Sequence, residues 1–472
     1  MLGKSWLEYI LIRLTIWGFR AVAPVSLLLV SYRIYTGASL LGDTIDALAV
    51  TESLFFICIY LPRHTLLQKR AVHPPLLNRD DRKALFIRCS DEINGDYPTG
   101  WFFSPGYQRG NVIEWLLWAL FSITPEENQG QWDEEIAEYV AVAEESLGRK
   151  LDDGYNKQAA CMRVSFDPLH MIHRPLGWYA LVGLLDMKTA VQMHILGFRH
   201  YNPPSWFPSF PLRPFTWLSK RSASPKLPYW WKPHNSSTKL PLVILHGIGI
   251  GLYPYVPIIQ EFVSENPDVG VLVIEYMPIC SRITSAPLSR AELCNEMENI
   301  LASLRIDRFV VFGHSYGTVL AAHMFQSPVL APRIAATLFL DPIPFLLHLP
   351  NVAFNFVYRK PRTANEWEVW YFASRDPDVA RTLGRHFFWA ENIMWKHDLD
   401  GRRFAVALAG DDQLLDARAV HKYLTQQEKP THYWQKDDLE VFFFPGEDHA
   451  TILDTRKTRK PMLEVLSRFV SA

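Results

Sequence analysis

Cysteine is scarce in this chain of 472 residues: Cys58, Cys89, Cys161, Cys280 and Cys294 are scattered, with no CxxC pair. An odd, sparse set excludes a disulfide framework and a cysteine-based zinc site, and reads as buried free thiols. An excess of one charge is also missing, since 48 Lys and Arg stand against 49 Asp and Glu. That balance excludes a globally basic nucleic-acid binder and an acidic solvating chain, so no nucleic-acid partner is expected. No internal repeat of 20–50 residues is visible, which argues against a solenoid or propeller. Uninterrupted apolar runs of the ~18–20 residues that a clear spanning helix needs are absent too. What the chain does have is 33 prolines, 16 tryptophans and 49% hydrophobic residues. That is enough for a large core, and a prior of roughly 150 residues per domain suggests about three units.

Residues 1–62 are read as a membrane-associating segment. Ala21–Tyr32 carries no charge and Ala47–Pro62 carries only Glu52. Arg13 and Arg20 interrupt the first apolar run, and an arginine at the bilayer centre costs at least ~2.5 kcal/mol on insertion scales. A removable signal peptide fits poorly, because no small-x-small site follows a single short apolar core. Three arrangements stay open: a spanning helix within 10–32 or 40–62, a helix pair on the membrane surface, or apolar helices packed on the rest of the protein.

Residues 63–200 read as a helical region. Val112–Phe121 forms a short aromatic helix. Trp132–Leu147 opens on Asp133, Glu134 and Glu135, which suits a helix N-terminus, and Gly148 suits its end. Trp178–Phe198 has helical apolar spacing and is expected to be a buried helix, with a membrane-facing one as the alternative. Residues 201–237 are a strap. Positions 201–233 hold eight prolines, four tryptophans and the basic pair Lys220–Arg221. Such a segment breaks helices and interior strands, yet its rings seek burial, so it is expected to run extended along the next domain. The Asn235–Ser236–Ser237 sequon lies at its end.

Residues 238–472 alternate short apolar runs with helical stretches. The expected strands are Leu242–Leu245, Val271–Ile274, Phe309–Phe312, Thr337–Leu340, Phe404–Leu408 and Val441–Phe444. Continuous apolar strands alternating with helices imply an α/β fold with a mostly parallel sheet covered on both faces. Residues 343–398 are too long for a turn and crowded with aromatics, so they are expected to form an inserted helical cap.

Gly313-His314-Ser315-Tyr316-Gly317 is a G-x-S-x-G pentapeptide between an expected strand and an expected helix. A serine on so sharp a turn needs neighbours without bulk two places either side, and glycine meets that need. A serine hydroxyl also needs a base. His449, in the loop after Phe442–Phe444, fits better than His421 or His432. The imidazole needs a carboxylate to orient it. Asp412, past the turn at Gly410, is favoured, with Asp411, Asp416 and Asp341 as alternatives. The oxyanion needs aimed backbone N–H donors, expected from Tyr316 and from Ile248 in the loop His246-Gly247-Ile248-Gly249-Ile250-Gly251.

These motifs, in the order Ser, acid, His, resemble the α/β-hydrolase superfamily, in its serine esterase and lipase-like branch, over about residues 238–472. The resemblance implies an α/β-hydrolase fold and a serine hydrolase that cleaves carboxylic esters through an acyl-enzyme. A lipid-like ester substrate is expected from the apolar N-terminus and aromatic cap. An acyltransferase using the same triad, or a non-catalytic binding protein on this fold, stays open. No cofactor and no metal are expected: His170, His173, His194 and His200 have no carboxylate at ligand spacing. Asp91–Asp96 reads as a polar turn, and the cluster Arg456, Lys457, Arg459 and Lys460 as a solvated face.

Overall fold

A computed structural model describes residues 2–91, 97–204 and 209–471. Most of the Asp91–Asp96 turn therefore lies outside the described residues. The apolar runs do become strands. In chain order these are β1 Arg199–Asn202, β2 Ser209–Phe210, β3 Lys220–Arg221, β4 Tyr229–Lys232, β5 Leu242–Leu245 and β6 Val271–Ile274. They continue with β7 Ile283–Thr284, β8 Phe309–His314, β9 Ile334–Leu340, β10 Arg403–Ala409, β11 Tyr433–Lys436 and β12 Leu439–Phe444. Ten of them form one sheet in the order β11-β12-β10-β9-β8-β5-β6-β4-β1-β3, while β2 pairs with β7. The six from β6 to β12 through β5 run parallel.

Burial on both faces explains why those six strands read as unbroken apolar runs. Val243 and Leu245 of β5 point into a core shared with Arg290–Ser303 and Tyr316–Phe325. Leu242 and Ile244 point the other way, toward Val256–Glu265 and the C-terminal helix Arg456–Val470. The chain leaves β5 for β6 on one side and then crosses to β8 on the other. That reversal opens a crevice at the carboxyl ends of β5 and β8, where ligands of open α/β sheets bind. The sheet order and crossovers are those of the α/β-hydrolase fold.

The strap differs from expectation. It does not merely run along the sheet; it supplies β1's last residues, β3 and β4, which extend the sheet beyond β6. Its prolines fall between these strands rather than inside them, so no ladder N–H is lost. Trp230 and Trp231 are buried on β4.

Between β9 and β10 the chain forms helical turns across 351–358, 364–374, 377–385 and 389–392. The N-terminal segment also differs from its reading as short runs. Helix α1, Trp6–Thr36, is continuous through Pro24, and a second continuous helical run covers Asp43–Leu67. Both are long and apolar enough to cross a membrane by length and composition. Within that second run we label Asp43–Phe55 as α2 and Leu61–Leu67 as α3.

The two arms form a hairpin. Arg33 at the end of α1 pairs with Asp43 (3.1 Å) and Asp46 (3.0 Å) of α2. Arg13 sits over the Trp367 ring at 3.9 Å, which accommodates one of the charges that interrupt the apolar run. Phe19 docks among Trp178, Tyr371 and Phe372. The outer surface is apolar, with Leu7, Leu14, Trp17 and Leu28 exposed. Cys58 is exposed on this hairpin, so the reading of all five thiols as buried holds for the other four only.

Helices α4 Arg79–Asp91, α5 Arg109–Leu116, α6 Asp133–Ser146 and α7 Leu176–Ile195 follow the hairpin and precede the strap, with long irregular connections between them. Gly148 after α6 has φ +62°, the left-handed residue that ends a helix.

Candidate active site

Ser315 stands at the turn between β8 and the helix Tyr316–Phe325, with φ 51° and ψ −121°. Those angles are unfavourable for any residue with a Cβ, and they persist because the surroundings hold them. The Ser315 N–H donates to Leu340 O at 3.0 Å, and the Thr318 hydroxyl donates to Ser315 O at 2.5 Å. The glycine at 317 is sterically required, and the one at 313 relieves a tight contact. A Cβ at 317 would stand 2.0 Å from Leu245 O, and one at 313 would stand 3.2 Å from Gly317 O.

The structure brings Ser315, His449 and Asp412 together. His449 Nε2 lies 2.8 Å from Ser315 Oγ, and His449 Nδ1 lies 2.7 Å from Asp412 Oδ2. The other oxygen of Asp412 accepts from Leu414 N (2.7 Å) and Leu415 N (3.1 Å), which fixes the carboxylate plane. The alternative acids are placed elsewhere. Asp416 caps the helix Ala417–Thr425 by accepting from Ala419 N, and the Asp411 backbone N–H donates to Glu447 O. His421 is buried in that same helix.

The third alternative acid, Asp341, does lie beside the triad. It is fully buried at the end of β9 and accepts from Ala409 N (2.9 Å) and Ala450 N (2.8 Å). Asp341, Asp412 and His449 each offer an atom within 4.8 Å of the others. Burial and the Asp412 charge push the Asp341 carboxyl up to about 7. Burial opposes charge on His449, but the Asp412 charge and hydrogen bond, with Asp341 and Asp448 behind them, outweigh it. The ring is raised to about 9.

The loop after β5 approaches the serine closely. A Cβ at Gly247 would stand 2.8 Å from Ser315 Cβ. Two of its N–H groups are committed: Gly247 N donates to Tyr255 Oη (2.7 Å) and Gly249 N to Ile279 O (3.0 Å). The N–H of Ile248 lies between them. Tyr316 is the first residue of its helix, where an N–H has no intrahelical acceptor. The Tyr255 hydroxyl also shares a hydrogen bond with His314 Nδ1 at 2.5 Å, which ties the loop to the serine turn. Burial keeps His314 neutral by driving it well below the usual histidine range.

A cavity of about 420 Å³ opens on Ser315 and His449. Ile343, Phe356 and Phe387 between β9 and β10 line it, and so do Leu76, Trp118 and Leu120 from before the strap. No spacing in the sequence linked those last three to the site. The same holds for Tyr255, whereas Asp448 adjoins His449 in the sequence. The Asp448 carboxylate accepts from His449 N (2.7 Å), Gln413 N (2.9 Å) and Asn365 Nδ2, joining the histidine loop, the acid loop and the cap. Two of the histidines outside the site pair with carboxylates. His173 meets Glu52 at 2.7 Å, and His200 meets Glu275 at 2.8 Å.

Fold and elbow together define an α/β-hydrolase architecture. No family model and no curated protein matches the chain. Among solved structures, it is similar to a bacterial membrane phospholipase A at 13% identity and TM-score 0.39, covering 63% of this chain and 94% of that one. It is also similar to a carboxylesterase of Nitrososphaera gargenis (16%, TM-score 0.37, covering 52% and 96%). A third is the naproxen esterase of Bacillus subtilis (13%, TM-score 0.37, covering 61% and 98%). Similarity at this level brings neither an activity nor a residue role to this chain.

Proposed function

We propose that this protein is a membrane-associated serine hydrolase that cleaves the carboxylic ester of a lipid-like substrate. The observation that carries the reading is the unbroken hydrogen-bonded line Ser315–His449–Asp412, at 2.8 and 2.7 Å, on the wall of a largely apolar cavity. Ser315 Oγ attacks the ester carbonyl as His449 Nε2 takes its proton. The oxyanion is held by the N–H groups of Ile248 and Tyr316. His449 returns the proton to the leaving alcohol, and Asp412 keeps the ring oriented throughout. Water, activated by His449, then releases the acid and restores Ser315.

Lipid preference rests on the cavity wall and on the hairpin, whose outer apolar surface suits a bilayer. The test is labelling of the full chain by a fluorophosphonate probe, followed by a panel of lipid esters. Wild type is expected to label and Ser315→Ala is not. A wild-type chain that never labels overturns the mechanism, and labelling without turnover of any lipid ester overturns the substrate class.

A further inference from the structure

Helix α7 is apolar on both sides. Trp178, Val182 and Met193 are buried against the hairpin and the sheet core. On the other side Leu181, Leu184, Lys188, Val191 and Ile195 recur at spacings of three and four residues, which puts them on one stripe. All five are exposed, Leu184 at 70% and Ile195 at 79%. The strap adds to this face. Pro211 abuts Gly183 of α7, and the turn Pro214–Leu218 leaves Trp217 and Leu218 more than four-fifths exposed. Arg213 between them turns inward to Asp186 and Glu275, so its charge is neutralised inside.

The charge on this face is one-sided. Residues 187–239 contain eight Lys or Arg and no Asp or Glu. Lys188, Arg199, Lys220 and Arg221 are exposed, and among the described residues none of them forms an ion pair. Lys220 and Arg221 form β3, the outermost strand of the sheet, paired in register with Tyr201 and Asn202 of β1. The face is continuous with the hairpin. The Trp178 ring meets Phe19 of α1 at 6.0 Å, and Tyr179 meets Phe55 of α2 at 5.7 Å.

We propose that this edge of the sheet is a second membrane contact, occupied by the surface of an anionic leaflet. α7 lies in the plane of the boundary between headgroups and acyl chains, Trp217 and Leu218 enter it, and the four bases meet lipid phosphates. An apolar stripe flanked by unpaired bases, with acids excluded from the local sequence, matches a bilayer surface better than a protein partner. The proposal rests on the membrane reading of the hairpin and extends it: the hydrolase body lies on its β3 edge and does not hang free from an anchor.

The test uses the full chain with Cys58→Ser, which leaves only buried thiols among the five. Single changes Leu184→Cys, Trp217→Cys, Leu28→Cys and Lys436→Cys each receive an environment-sensitive fluorophore. Lys436 lies on β11, at the opposite end of the sheet. Vesicles contain phosphatidylserine with phosphatidylcholine, or phosphatidylcholine alone, with or without a shallow spin-labelled quencher lipid. Labels at 184 and 217 are expected to shift blue and lose most of their emission to the quencher in anionic vesicles, while 436 stays aqueous. Lys220→Glu with Arg221→Glu is expected to reduce quenching at 217, since each basic residue near such a surface is worth about fivefold in partitioning. Labels at 184 and 217 that stay as aqueous as 436, while 28 is quenched, overturn the second contact and leave the hairpin reading intact. An aqueous label at 28 overturns the hairpin reading and the proposal with it. A blue shift without lipid quenching assigns the face to a second copy or another protein and overturns the proposal.

Discussion

At the residue scale, the candidate site pairs a histidine with two carboxylates of unlike standing. Asp412 holds the His449 ring, while Asp341 sits behind it, buried and bonded to two backbone N–H groups. A histidine raised to about 9 is protonated at neutral pH, and only the neutral ring accepts the serine proton. The rate is therefore expected to climb with pH through that value. Asp341 is one of the charges that raises the ring, so Asp341→Asn is expected to move the rising limb of kcat/KM to lower pH. An unmoved limb, or one moved upward, sinks this account. The amide cannot accept both backbone bonds, so the same variant is expected to lose about 1–3 kcal/mol on denaturant unfolding. Gly317→Ala is a sharper case. Its Cβ would collide with the Leu245 carbonyl at 2.0 Å, so the turn cannot form, and both fluorophosphonate labelling and the yield of folded protein are expected to be lost.

At the scale of elements, a buried carboxylate is one of the groups that hold the hairpin to the body. Glu52 accepts from His173 Nε2 (2.7 Å) and from Leu176 N (2.9 Å). Glu52→Ala leaves two half-buried donors unpaired and is expected to weaken docking by about 1–3 kcal/mol, whereas Glu52→Gln keeps an acceptor and does much less. Limited proteolysis between α3 and α4 reads the difference, and equal cleavage of both variants would count against this account. The elements also show what was legible. Strands β5, β6, β8, β9, β10 and β12 announce themselves because burial on both faces leaves Thr337 as the one polar position in the runs read as strands. β1, β3 and β4 do not, because two- and four-residue strands among prolines carry no pattern longer than a turn. The hairpin read as two short runs because Arg13 and Arg20 look like interruptions. The Trp367 ring that meets Arg13, and the Asp43 and Asp46 carboxylates that meet Arg33, come together only in three dimensions.

At the scale of the molecule, Ser315, His449 and Asp412 come from loops 134 and 37 residues apart in sequence, yet each could be chosen from its place after a strand. Asp341 was legible only as an alternative acid. Leu76 and Trp118 were not legible as cavity walls at all, since they belong to a part of the chain with no motif. The hairpin and the α7 edge together are expected to keep the full chain in the membrane pellet after carbonate extraction. Recovery in the supernatant would contradict the membrane reading.

The bonds at Asp448 have a kinetic meaning. One carboxylate serves the cap through Asn365, the acid loop through Gln413 and the backbone of His449 itself. Were the cap, carrying Asn365, to swing away and admit a substrate, the carboxylate behind the His449 backbone would lose one partner, and entry and reactivity would alternate.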